Sequence, residues 1–425
     1  MNVMNKLDSK NKKSSEVTLK NIILAKKRIN DFVENIPLNK CDRLSKQYDA
    51  NIYVKREDLQ KVRSYKIRGA YNLISSLTEK EKKKGVVCAS AGNHAQGVAF
   101  SCNNLQIKGV IFVPVVTPKQ KIDKINNFGN GWIELRTKGA DFDEASKFAQ
   151  GYCNENDMTF VHPFDDARTI CGQGTIGLEI YEELKNIDYI FVPIGGGGLI
   201  SGISTYFKEM NSNTKIIGVE PKGAASMNNS IKKGKVVSLS KVNNFVDGCA
   251  VKKVGDLSYA ITSKNVKEFI KIDEGNVAKT MIDLYQNEGI ITEPGGALSI
   301  SALDYVDVKG KTVVCIISGG NNDISRYPEI VEKSLVFQGL KHYFIVEFAQ
   351  APGQLKNFLD NVLGPNDDIS RFEYIKKTNK ERGPSLVGIE LAKKNDYEPL
   401  IKRMKKQGIK YKVVDSNDPL YSLLI

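Results

Sequence analysis

Lys66 stands at the opening turn of an amphipathic helix in the run Val62-Arg63-Ser64-Tyr65-Lys66-Ile67-Arg68-Gly69-Ala70-Tyr71-Asn72. A primary amine held in a partly desolvated pocket favours its neutral form and can condense with a carbonyl to a Schiff base. Taken alone, Lys66 would be one more surface cation, because 62 of the 425 residues are Lys or Arg and most of these must face water. Its partners elsewhere in the chain decide the matter.

Three of them lie downstream. Gly195-Gly196-Gly197-Gly198-Leu199 follows an apolar strand and opens a helix, so unshielded N–H groups gather at a helix N-terminus and make a cradle for an anion such as a phosphate. Ser90-Ala91-Gly92-Asn93-His94 repeats that logic with small polar residues after a strand and before a helix, and it offers N–H and hydroxyl groups to a carboxylate. Ser318-Gly319-Gly320-Asn321 ends a third buried strand. Each run has a plainer reading, as a tight turn or an ordinary N-cap loop. Ligands of open parallel sheets gather at the carboxyl ends of strands, and there these runs supply what a lysine-bound, phosphorylated carbonyl cofactor needs.

The elements that must position these residues alternate. Strands are expected at Ile52–Lys55, Val86–Ala89, Lys108–Pro114, Trp132–Arg136, Phe160–His162, Asp188–Ile194, Ile216–Glu220 and from Lys311. Helices are expected from Leu19 to Phe32, from Lys66 to about Lys84, from Asn93, from Thr117 to Asn127, from Asp141 to Asn154 and from about Gly174 to Leu184. That rhythm is an α/β protein with a mostly parallel sheet. After a linker helix near Pro328–Leu335 the order changes to strand, helix, strand, strand, helix, strand, the βαββαβ pattern of a ferredoxin-like α+β unit.

Composition narrows the function classes. With 41% hydrophobic residues the chain can build real cores in two or three domains. The net charge of +13 is spread without interleaved aromatics, which argues against nucleic acid as a partner. Seven cysteines without a CxxC pair and three scattered histidines (His94, His162, His342) argue for reduced thiols and against a metal centre. No apolar run approaches the ~18 residues of a membrane span. The glycine run lacks both the GxGxxG spacing with a following acid and the Lys-Ser/Thr ending of nucleotide loops.

SYKIRGAYN, SAGNHAQG, GGGGL and SGGN together resemble the motifs of the fold-type-II pyridoxal-phosphate enzymes, and within them those of the biosynthetic threonine dehydratases (threonine ammonia-lyases), from about residue 20 to 330. The resemblance implies a tryptophan-synthase-β-like α/β fold of two open, twisted, mostly parallel sheets with flanking helices, plus a single ACT-like C-terminal domain. It divides the chain into a disordered basic tail (1–18), a catalytic domain (19–330, with a small subdomain at about 60–160), a linker (331–338) and an ACT-like regulatory domain (339–425). It implies pyridoxal 5'-phosphate bound by Lys66 as a Schiff base, Asn93 at the ring hydroxyl, Gly195, Gly196, Gly197, Gly198 and Leu199 around the phosphate, and Ser318 at the ring nitrogen. Ser90, Gly92, Asn93 and His94 would line the substrate carboxylate pocket.

The implied activity is deamination of L-threonine to 2-oxobutanoate and ammonia, the first step of isoleucine biosynthesis, in a cytoplasmic homotetramer with no nucleic-acid or membrane partner. L-Serine is a second substrate to consider, and isoleucine and valine are the implied effectors. Other readings stay open: a serine-preferring or catabolic dehydratase, a non-catalytic amino-acid-binding regulator, or a nicotinamide oxidoreductase. Ala91 stands where related serine racemases carry a second serine, which disfavours racemisation. Ser226, in Glu220-Pro221-Lys222-Gly223-Ala224-Ala225-Ser226, stands where some relatives carry a cation-binding Asp, so no metal is expected. A serine at the ring nitrogen makes the ring a moderate electron sink that favours loss of the β-substituent. Replacing Ser318 with Asp should therefore raise transamination relative to elimination in the product ratio, and an unchanged ratio would overturn this reading.

Overall fold

A computed structural model describes residues 16–210, 212–374, 381–415 and 418–424. The chain divides into two compact units, one holding the residues up to Glu274 with Glu288–Asn322, the other Gly275–Asn287 with Asp323–Ile425. The expected basic tail falls mainly on residues 1–15, outside the described residues. From Val17 the described chain leads into α1 (Leu19–Ile29), whose N-cap Thr18 accepts a hydrogen bond from Asn21 N.

The first unit continues with β1 (Leu38–Lys40), α2 (Asp42–Tyr48), β2 (Asn51–Arg56), α3 (Lys66–Ser75) and α4 (Glu79–Lys84). Next come β3 (Val86–Ala89), α5 (Asn93–Leu105), β4 (Gly109–Val113), α6 (Lys119–Gly129), β5 (Ile133–Thr137), α7 (Phe142–Glu155) and β6 (Thr159–Phe160). α8 (Ala167–Glu183), β7 (Tyr189–Pro193), α9 (Gly198–Glu209), β8 (Lys215–Pro221), α10 (Ser226–Lys233), α11 (Asp256–Asn265) and β9 (Glu268–Ile272) follow. α12 (Glu274–Glu288) belongs almost wholly to the second unit, and α13 (Pro294–Ser301) and β10 (Thr312–Ile317) complete the first.

Two sheets organise that unit. The larger has the order β1-β2-β10-β7-β8-β9, parallel except for β1, and the smaller has the parallel order β5-β4-β3-β6. Their central strands are fully buried, as the continuous Val/Ile/Phe runs require of strands covered on both faces. Ile190, Val192, Ile200, Ile203, Val314 and Ile316 lie in the core of the larger sheet; Leu73, Val86, Cys88, Val98 and Ile111 lie in that of the smaller.

Two expected helices differ from those observed. The helix from Lys66 stops at Ser75, and a new one starts at Glu79, because Thr78 and Glu81 form a reciprocal capping box that satisfies the orphan donors of a fresh N-terminus. Helix α8 begins at Ala167, well before the expected Gly174, capped by the Asp166 side chain on Arg168 N. Gly172 and Gly174 are therefore helix-interior residues, and their function is close approach. A Cβ on Gly172 would lie 2.3 Å from the Arg68 carbonyl of α3, and one on Gly174 would lie 3.1 Å from Gly202 of α9. Helix α8 is thus in backbone contact with the lysine-bearing helix on one side and with the helix after the glycine run on the other.

The α3–α8 contact is locked by charge. All five N–H donors of buried Arg68 are used: Nε and Nη2 to Glu57, Nη1 and Nη2 to Glu179, and Nη1 to Thr175 Oγ1, at 2.7–3.0 Å. Lys55 and Lys26 also reach Glu179, at 2.8 and 2.6 Å. Burial alone would push the Glu179 carboxyl up, but Arg68 and the two lysines outweigh it and hold it at about 2.

The second unit carries α14 (Tyr327–Gln338), β11 (Lys341–Ala349), α15 (Gln354–Asn361), β12 (Asp368–Tyr374), β13 (Arg382–Glu390), α16 (Tyr397–Lys406), β14 (Lys410–Val414) and α17 (Tyr421–Leu424). Its sheet order β12-β13-β11-β14, antiparallel throughout, is the ferredoxin-like arrangement that the βαββαβ pattern implies. Strand β12 is described as far as Tyr374. Phe344, Val346, Phe358, Val387, Ile389, Leu400 and Met404 fill the core between sheet and helices.

Removing one member of a buried ion cluster leaves the others uncompensated. Arg68→Met should cost about 3–5 kcal/mol in urea unfolding, whereas Lys82→Met, which removes an exposed pair with Glu79, should cost less than about 1 kcal/mol.

Candidate active site

The site is built from loops at the carboxyl ends of strands in both sheets. The loop before α3 is welded to the end of β10: Ser64 bridges Gly319, Tyr65 N donates to Ser318 O at 3.1 Å, and Gly320 N donates to Arg63 O at 2.9 Å. Arg63 takes a left-handed backbone (φ 55°) to make that turn. Lys66, the next residue but two, starts its helix with the side chain half-buried, and its Nζ donates to Pro163 O at 3.0 Å. Burial pushes the Lys66 amine down to about 8, although Cys249 and Glu293 pull the other way.

The glycine run leaves no room for side chains. A Cβ on Gly196 would fall 2.2 Å from the ring of Phe164, and Gly197 has φ +98° and faces Met227 and Ser258. The run ends in α9, whose first N–H groups have no intrahelical partners, so an anion there meets backbone donors and the positive end of a helix dipole. Leu199 is buried beneath it in the core.

At the end of β3, Gly92 N donates to Ser90 Oγ at 3.2 Å, and α5 starts at Asn93. Asn93 is held from both ends of its amide: Nδ2 donates to the Glu293 carboxylate at 2.7 and 3.0 Å, and Oδ1 accepts from Asn321 Nδ2 at 2.7 Å. His94 is buried, with Nε2 at 2.8 Å from Val161 O. A carbonyl can only accept, so Nε2 carries the proton and Nδ1 is a bare acceptor, without a partner among the described residues. Burial holds the imidazole down to about 3, and it stays neutral. Such a ring walls the pocket; it has no N–H left for a carboxylate.

Ser318 is buried at the end of β10. A Cβ on Gly295, at the start of α13, would sit 3.6 Å from Cys249 Sγ, 3.8 Å from Ser318 Oγ and 3.9 Å from Glu293 Oε1, so these three groups surround one small space. Glu293 is the acid of the cleft: burial pushes it up to about 7, with Asp247 adding to the rise. Glu220 accepts from Met227 N and Asn228 N at 2.7 and 2.8 Å, the role of a cap for α10.

Two contributors escaped the motif reading, and a third was read only in part. The segment 161–166 carries the acceptor of Lys66 and the ring under Gly196, and Asp165 receives Asp256 N and Ser258 N at the head of α11. Its signal was a proline between a strand and an Asp N-cap, enough to mark a turn and no more. Cys249 lay in a stretch with no periodicity. Glu293-Pro294-Gly295-Gly296-Ala297 resembles the family's helix start beside the cofactor, but the pairing of Glu293 with Asn93 was not legible.

Pyridoxal 5'-phosphate fits these residues. The cup excludes side chains and offers N–H donors to a phosphate, and a buried amine of lowered basicity stands beside it.

The comparisons agree. A family model for pyridoxal-phosphate dependent enzymes matches residues 29–319, and one for the C-terminal regulatory domain of threonine dehydratase matches residues 332–424. A biosynthetic L-threonine dehydratase of Halalkalibacterium halodurans is 50% identical over 413 residues, 96% of this chain and 100% of the relative. One of Bacillus subtilis is 50% identical over 417 residues, 97% and 99% of the two chains. Among solved structures, the processed form of threonine deaminase isoform 2 from Solanum lycopersicum has a TM-score of 0.71 at 39% identity, covering 74% of this chain and 93% of that one. With its fold, its glycine cup and these relatives, the chain belongs to the pyridoxal-phosphate-dependent enzymes and, within them, to the biosynthetic threonine dehydratases.

Proposed function

We propose that the chain deaminates L-threonine to 2-oxobutanoate and ammonia at this site, as the first step of isoleucine formation. The observation that carries the reading is the single segment 163–164: Pro163 O holds the Lys66 amine while Phe164 floors the glycine cup, so amine and anion cradle share one support. Bound pyridoxal phosphate supplies a carbonyl that captures the substrate amine and a ring that draws electrons from its Cα. The protein supplies position and proton traffic.

Lys66 is the catalytic base in this reading. A value of about 8 leaves roughly a tenth of the amine neutral at pH 7, able to take a proton from a carbon beside it. Gly195, Gly196, Gly197, Gly198 and Leu199 hold the phosphate by backbone N–H groups. Asn93, clamped by Glu293 and Asn321, would hold the bound ring in one orientation, and Ser318 would offer its ring nitrogen a neutral hydroxyl. Ser90, Gly92 and Asn93 present the N-terminus of α5 to the substrate carboxylate, where the helix dipole favours a negative group, with His94 as wall.

The match of residues 332–424 to a regulatory domain of threonine dehydratase supports effector binding in the second unit, and isoleucine as inhibitor with valine opposing it is the pair proposed for it. No described helix is long and apolar enough to cross a membrane, which is compatible with a cytoplasmic homotetramer.

Purified protein with L-threonine should yield 2-oxobutanoate and ammonia in equal amounts, with a lower rate when isoleucine is added; turnover confined to L-serine would overturn the threonine assignment. Lys66→Ala should reduce turnover by at least about four orders of magnitude, since nucleophile and base are lost together. Cofactor-stripped protein should recapture the aldehyde at a rate that climbs through a midpoint near pH 8, because the neutral amine is the reacting form; a midpoint near the ordinary lysine value would show an unburied amine.

A further inference from the structure

Between the two glycines that bring α8 into contact with its neighbours lies Gln173, fully buried. Its Nε2 donates to Pro163 O at 3.1 Å, the same oxygen that accepts from Lys66 Nζ at 3.0 Å. Its Oε1 would be 2.5 Å from a Cβ on Gly198, the first residue of α9, and has no partner among the described residues. One side chain therefore touches the resting acceptor of the amine and the helix start that closes the anion cup. Neither contact has a part in the proton traffic assigned to Lys66.

We propose that Gln173 is a positioning residue for the reacting lysine: by occupying one lone pair of Pro163 O it fixes the carbonyl on which Lys66 rests, and by abutting Gly198 it sets that resting place relative to the anion cup. A carbonyl oxygen has two lone pairs and can serve two donors. With the first taken in a fixed direction by an amide locked into helix α8, the second points to one place, and Lys66 parks there. Without the amide, the Pro163 carbonyl is free to reorient and the parked amine loses its defined distance from the bound aldehyde, an ångström-scale displacement of the kind that costs reaction rate steeply.

The charge environment makes the idea testable by pH. The titratable groups that act on Lys66 are Glu293 at the head of α13, Cys249 in the loop before α11, His94 on α5 and His162 beside Pro163; the two histidines are held down by burial. Gln173 is neutral, so Gln173→Glu adds a carboxylate one atom from the amine's acceptor and should favour the ammonium form.

The inference rests on Lys66 being the aldehyde-binding amine, and the test separates the two. Full-length protein, stripped of cofactor, is mixed with pyridoxal phosphate or with phosphate-free pyridoxal across a pH series, and capture is followed by absorbance. Absence of capture in the unaltered protein would defeat the reading of Lys66 itself. If Lys66 captures, Gln173→Leu should slow capture of both aldehydes about tenfold or more, and Gln173→Glu should raise the pH midpoint by about half a unit or more. Gln173→Met, unbranched and of similar length, replaces the leucine variant if that one does not fold. Ile180→Val, which thins the core two turns further along the same helix, should lower the unfolding midpoint and leave rate and pH midpoint unchanged. Gln173 variants that lose stability but capture both aldehydes with the unaltered rate and midpoint would overturn the proposal and leave Gln173 a packing residue.

Discussion

The geometry of the site depends on three helices meeting at backbone distance. Helix α8 allows this because its glycines stand where α3 and α9 press against it. Arg68 then fixes the rotation of α3. It lies two residues after Lys66, about 200° round the helix, so burying the guanidinium among Glu57, Glu179 and Thr175 turns Lys66 the opposite way, into the cleft. Such a cluster is costly to desolvate and contributes little net stability when complete. Its value is orientation: any other rotation of α3 would take the Arg68 guanidinium away from the buried Glu57 and Glu179 carboxylates.

The electrostatics of the cleft follow a consistent design. Lys66 is less basic than a free lysine and Glu293 is less acidic than a free glutamate, both mainly from burial. His94 is neutral, and the Ser318 hydroxyl lies buried beside Cys249 and Glu293. The glycine cup would meet an anion with backbone dipoles, and the lowering of the Lys66 amine comes from burial, with Cys249 and Glu293 opposing it. Desolvation alone lowers the amine, and the anions nearby limit how far it falls. An amine near 8 is a compromise between nucleophile and proton donor, which a base that must both take and return a proton requires.

Much of this was legible in the chain. Strand ends that carry the site stood out because small residues such as Ser90-Ala91-Gly92 or Ser318-Gly319-Gly320 interrupt otherwise continuous apolar runs, and the structure places strands β3, β7 and β10 before them. The glycines of α8 misled in proportion to their importance. Local propensity reads Gly172 and Gly174 as helix breakers, whereas tertiary contact needs them inside the helix. The break between α3 and α4 was hidden for the opposite reason, since Thr78 and Glu81 form a cap that only three-residue spacing reveals. Residues 226–300 gave little because their helices are short, polar or buried all round, without the one-sided stripe that periodicity detects.

The segment 161–166 was invisible for a deeper reason: its chemistry lies in backbone carbonyls, which every residue has. It is also where the chain passes from β6 in the smaller sheet to α8 beside the larger one. Val161 O is bonded by His94 on α5, Pro163 O by Lys66 and Gln173, and Phe164 O by Ser258 Oγ, while Phe164 itself lies under Gly196. The loop before α5, the amine and the glycine run therefore all refer to the same few peptide units. A small rotation of one sheet against the other, which would separate groups anchored only to their own sheet, would carry this segment and its three dependents together. That is a physical reason for a site at the junction of two sheets to keep its reacting amine at a constant distance from its cofactor.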